Sequence, residues 1–104
     1  MATNRLEMLL SMVDRNPADG FSRYGLAMEY KNAGDWDGAM REFHALIEAN
    51  PDYHAAYFHG GQTLERMGRE DDAREMYRLG VDAATRAGNG HARAEMQGAL
   101  DLLG

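Results

Sequence analysis

Between Trp36 and Ala49 the apolar residues Ala39, Met40, Phe43, Leu46 and Ile47 recur at i, i+3, i+4, i+7 spacing. That is the period of one buried helix face, and it predicts a helix capped by Asp35 and stopped by Asn50 and Pro51. The segment before it carries Tyr24, Ala27, Met28 and Tyr30 behind a candidate cap, Asp19, and ends at Gly34, which can take the left-handed conformation that terminates a helix. The grammar then repeats. Asp52 is the expected cap of a helix through Tyr57, Phe58 and Leu64 that stops at Gly68, and a further helix follows through Ala73, Met76, Tyr77 and Val81. Thr85 stands where a second proline would fall, so this helix is expected to run on to Ala87 before Gly88. At the two ends only single helices are predicted. Asn4 with Glu7 forms a capping-box pattern ahead of Leu6, Leu9, Leu10 and Val13, and the segment from His91 to Leu103 puts Ala92, Met96, Ala99, Leu100 and Leu103 on one face. The expectation is an all-α fold of six antiparallel helices.

The helices are ordered by a period of 34 residues, shown by Pro17 and Pro51, Gly34 and Gly68, Ala39 and Ala73, and by the triplets Leu9, Phe43, Tyr77 and Val13, Ile47, Val81. Leu26, Ala27, Tyr30, Gly34, Asp35, Trp36, Ala39, Phe43 and Pro51 in one unit, and Tyr57, Gly61, Leu64, Gly68, Ala73 and Tyr77 in the next, resemble the signature of the tetratricopeptide repeat. On that likeness the chain divides into a half-repeat helix (4–16), two complete repeats (20–53 and 54–87) and a terminal capping helix (88–103), all within one domain, 1–104. The resemblance implies a right-handed solenoid of helix hairpins, with small residues such as Ala27, Gly61, Ala39 and Ala73 where helices approach closest. Stacking is also physically required, because a lone hairpin cannot bury its apolar face. Departures from the signature are Arg23 where a large aromatic is common, Gly60 and Gly80 in place of leucines, and the missing second proline; these are expected to weaken packing in the second repeat.

The same resemblance places a partner-binding surface on the first helices of successive repeats. Carried over position by position, it names Phe21, Tyr24, Met28, Lys31, Phe58, Gln62, Glu65, Arg66 and Met96, with Arg93 beside them. Tyr24, Met28, Phe58 and Met96 would then form an aromatic and thioether strip suited to a peptide. The alternative is that this stripe is core, covered by the last helix or by the curl of so short an array. The residues with which related domains hold the carboxylate of a chaperone tail are replaced here by Tyr24, Met28 and His59, so capture of such a tail is not expected.

Composition narrows the function further. Seventeen acidic against eleven basic residues give a net charge of −6, which argues against nucleic acid and anionic membrane as partners. With no cysteine there is no disulfide framework, thiolate metal site or thiol nucleophile; the apolar stretches are short and Arg5 and Glu7 interrupt any signal-peptide pattern, so a cytoplasmic protein is expected. His44, His54, His59 and His91 show no metal-ligand spacing and fit ordinary helix positions. Gly88, Asn89 and Gly90 lack the third glycine and the preceding strand of a dinucleotide site and read as a helix stop followed by a new cap. Gly60, Gly61 and Gln62 spell a release-factor tripeptide but fall inside a helix, where close packing against the Ala73 helix explains them better. No nucleophile, base and oxyanion donors assemble, so the expectation is a non-enzymatic interaction module without cofactor or metal, binding a protein or peptide. The alternative is a structural protein whose apolar surfaces pair with a second copy. Met1, Met8 and Leu10 support weak dimerisation, since the positions matching Met8 and Leu10 in the next repeat are the polar Glu42 and His44.

Overall fold

A computed structural model describes residues 4–104. It contains six helices and, among the described residues, no strand: α1 (Arg5–Arg15), α2 (Gly20–Asn32), α3 (Trp36–Ala49), α4 (His54–Arg66), α5 (Glu70–Arg86) and α6 (Gly90–Leu103). Each packs on the next, and the stack measures 45 × 29 × 19 Å, an elongated shape suited to a solenoid. No described helix is long and apolar enough to cross a membrane.

The caps explain the boundaries. Asn4, Asp19, Asp35 and Asn89 accept hydrogen bonds from the first-turn amides of Glu7, Phe21, Gly38 and Ala92. Gly34, Gly68 and Gly88 take φ of +80°, +76° and +68°, and behind each the chain closes a paired 6→1 and 5→2 bond, as Asp35 N to Tyr30 O (2.9 Å) with Gly34 N to Lys31 O (3.0 Å). One expected cap is absent. Tyr53, not Asp52, occupies the cap position of α4 and makes no side-chain cap bond. Asp52 instead receives Arg86 (3.1 Å), whose guanidinium also donates to Pro51 O (3.3 Å). Without a proline at Thr85, α5 reaches 17 residues against 14 for α3, and that extension delivers Arg86 to the α3–α4 loop.

The core runs along the stack through Leu26, Ala27, Ala39, Phe43, Leu46, Tyr57, Leu64, Ala73, Tyr77 and Met96, all buried. A Cβ built on Gly61 would lie 2.3 Å from the Tyr77 ring, so α4 and α5 approach through that glycine as expected, while one on Gly60 would meet Met76 only at 3.6 Å. Gly80 does not leave a void. Met96 fills the space where the preceding repeat has Leu46, with its sulfur 2.2 Å from where a Gly80 Cβ would be. Thus the leucine lost in the second repeat is replaced by a thioether from the last helix, whose flexible chain suits an irregular gap. Arg23, the other departure, reaches Glu42 Oε1 at 2.8 Å, and both side chains are largely covered, 17% and 12% exposed. Glu42 is therefore an interior residue of the α2–α3 hairpin despite its charge.

Candidate functional site

The first helices α2, α4 and α6 line one side of the stack, and two adjoining compartments open there. One, of about 430 Å³, is lined by Lys31, Gln62, Glu65 and Arg66. The other, of about 380 Å³, is lined by Phe58, Gln62, Glu65, Tyr77, Glu95, Gly98, Ala99 and Leu102. Gln62 and Glu65 border both, so a charged compartment and a more apolar one adjoin as the two halves of a groove along α4.

Five of the ten residues named from sequence meet here: Lys31, Phe58, Gln62, Glu65 and Arg66. Tyr24 and Met28 are half-buried further along, Tyr24 with its ring 5.6 Å from Tyr53 and 5.9 Å from His59. Phe21 projects from the first turn of α2, 75% exposed and outside both compartments. Arg93 is exposed and lines neither. Met96 is a correction: at 1% exposure it is core and offers nothing to a ligand.

The cause is a register shift. α4 begins at His54 and α6 at Gly90, 36 residues later, because the long α5 carries the chain two residues past the period. On the shifted register Met96 matches the buried Gly60, whereas Glu95, Gly98 and Leu102 match His59, Gln62 and Arg66. Glu95, Gly98 and Leu102, together with Ala99, are the groove residues of α6, with Leu102 91% exposed. The length of α5 was the signal in the sequence that leads to them.

His59 is the other residue missed. Its Nδ1 lies 3.3 Å from Lys31 Nζ and 3.2 Å from Gln62 Oε1, and Lys31 donates to the same Gln62 oxygen at 3.0 Å. Phe58 meets its ring edge-on at 5.3 Å. Burial and the Lys31 charge hold His59 below the usual imidazole value, opposed by the Gln62 hydrogen bond and Glu95. Burial and Arg66 likewise lower Lys31. On the apolar side the Tyr77 hydroxyl donates to Glu65, and burial together with that contact pushes the phenol pKa up.

A pH effect follows from His59. Its folded pKa is depressed, so the unfolded chain binds the proton first, and the stability contributed by neutral His59 is complete above about pH 6.5 and declines as pH falls toward the folded value. An NMR titration should give a His59 midpoint below 6.5 that rises in Lys31→Gln. A midpoint at or above 6.5 in the wild type would contradict the burial described.

Known proteins agree with this architecture. A family model described as tetratricopeptide repeat matches residues 21–53. The solution structure of a tetratricopeptide repeat domain protein from Salinibacter ruber superposes with a TM-score of 0.80 at 35% identity, covering 85% of this chain and 89% of that one. A Bordetella parapertussis protein superposes at 0.83 with 25% identity, covering 98% and 89%. The TPR repeat-containing protein PA0015 of Pseudomonas aeruginosa is 28% identical over 91 residues, 88% of this chain and 87% of that protein. The paired helices, the glycine stops and these relatives together show that the chain belongs to the tetratricopeptide repeat family.

Proposed function

We propose that this chain is a non-enzymatic recruiting module that binds a segment of a protein partner along the groove of α2, α4 and α6. Tetratricopeptide repeats generally mediate protein–protein interaction, which sets the class. The observation that carries the reading is the continuity of the charged and apolar halves through Gln62 and Glu65, since a single segment can engage both. The apolar anchor is the Phe58, Ala99 and Leu102 surface rather than a strip through Met96. A partner recovered from native lysate by the wild type should be lost with Phe58→Ala, Leu102→Ala, and should shift the amides of α2, α4 and α6. Perturbation confined to α3 and α5 would sink the reading.

A second reading, self-association, is favoured by α1. Met8 and Leu10 are 53% and 43% exposed, and Met8 holds the position at which Arg23 of α2 covers Glu42 in the next repeat. Met1, the third residue expected in this patch, lies outside the described residues. The patch is small, so dimerisation should be weak. Light scattering over a concentration series should detect dimers that Met8→Glu, Leu10→Glu abolishes without loss of helicity; a wild type monomeric throughout would dismiss it.

A further inference from the structure

The charged half of the groove holds an imbalance that the fold does not resolve. Among the described residues, seven of the eleven basic side chains stand in ion pairs with carboxylates, and Arg15, Lys31, Arg66 and Arg93 do not. In a chain where acids outnumber bases seventeen to eleven, two of those four line one compartment. Cations are at home in the last turn of a helix, and Lys31 and Arg66 occupy the last turns of α2 and α4. That does not account for where their side chains go. The Lys31 ammonium crosses to α4 and ends 3.0 Å from Gln62 Oε1, and the Arg66 guanidinium lies over the Trp36 ring, 5.9 Å from its centroid. Neither contact neutralises charge. Arg66 is close enough to help depress the Lys31 pKa, so the two repel across the compartment they line. The one carboxylate there, Glu65, is drawn toward α5 by the Tyr77 hydroxyl. Two positive charges against one negative match a single carboxylate; a dianion would leave excess negative charge beside Glu65 and Glu95.

We propose that Lys31 and Arg66 form a subsite for the carboxylate of an aspartate or glutamate side chain in the bound segment, with a neighbouring apolar side chain entering the compartment of Phe58, Ala99 and Leu102. The proposal rests on the reading of the groove as a peptide site and adds the chemistry of its occupant. A side chain fits better than a chain terminus because the Arg66 guanidinium lies over Trp36, which with Gly34, Asp35, Asp37 and Met67 lines a further hollow that leaves room for a bound chain to continue past the cations.

The test uses three synthetic peptides titrated into the isotopically labelled full chain: acetyl-Leu-Gly-Glu-Gly-amide, its glutamine counterpart, and the glutamine peptide with a free C-terminal carboxylate. The glutamate peptide should shift amides at the ends of α2 and α4 and in the Phe58 and Ala99 region, with a Kd about tenfold below that of the amidated glutamine peptide. Lys31→Gln and Arg66→Gln, each checked for unchanged helicity, should remove that advantage, and added salt should reduce it. Equal affinity for the glutamate and glutamine peptides would overturn the subsite while leaving apolar binding in the groove intact. So would a free C-terminus that restores full affinity without glutamate. Absence of saturable shifts with the glutamate peptide would also overturn it, while partner mapping on α2, α4 and α6 decides the groove separately.

Discussion

Gly61→Ala should destabilise the protein by about 2–3 kcal/mol, and Gly98→Ala should stabilise it by about 1 kcal/mol, although both replace a glycine inside a helix. By helix propensity alone each exchange gains about 1 kcal/mol. At Gly98 nothing lies within 4 Å of the added carbon, so the gain is realised. At Gly61 the new Cβ would fall 2.3 to 2.7 Å from three carbons of the Tyr77 ring. That ring is 1% exposed, and its hydroxyl is tied to Glu65, so it has nowhere to turn. Relief requires α4 and α5 to separate, which loosens the core around Phe43, Leu64 and Ala73. Gly80→Ala should also destabilise, because besides the displaceable Met96 sulfur it meets Tyr57 Cβ at 2.7 Å, an atom fixed to the α4 backbone. Urea unfolding of the three variants would check this. A Gly61→Ala midpoint equal to that of the wild type would mean that the helices do not approach as described.

Arg23→Ala should cost about 2–4 kcal/mol, well beyond what an exposed ion pair contributes. The Arg23 guanidinium is 2.8 Å from Glu42 Oε1 and its other nitrogen donates to Pro17 O at 3.3 Å, which ties α2 to α3 and to the loop before α2. Removing it leaves the Glu42 carboxylate, 12% exposed, with only the distant Arg41 at 3.8 Å. The double replacement Arg23→Leu, Glu42→Leu should recover most of the loss, since a buried pair often does little better than apolar residues of similar size. Thermal unfolding of the single and double variants measures both, and about 1 kcal/mol corresponds to roughly 4–8 °C at this size. Equal destabilisation by the single and double changes would show that the position needs packing, not charge.

Much of this molecule is written locally. Asn4, Asp19 and Asp35 cap the helices read from them, Gly34, Gly68 and Gly88 end helices with positive φ, and the 34-residue recurrence leads to paired, stacked helices. These features depend on interactions within one or two turns, so the residues that cause them are adjacent in the chain and visible there. The surface of α2 and α4 was legible for the same reason, because Lys31, Phe58, Gln62, Glu65 and Arg66 keep the spacing of the complete repeats.

What only the tertiary structure decided is how residues far apart in sequence meet when helices stack. The two-residue displacement of α6 moved Met96 into the core and Glu95, Gly98 and Leu102 into the groove. Asp52 was a sound cap by local rules but was claimed by Arg86, 34 residues away, and Glu42 was polar by composition yet interior because Arg23 lies across from it. His59 gained its depressed pKa from burial that no single helix provides and, secondarily, from Lys31 on another helix. Charge and burial are set by distance in space, and in a stack of helices the spatial neighbour is chosen by the length of every helix before it. A capping residue carries its information within a turn, whereas the register of a groove accumulates along the whole chain.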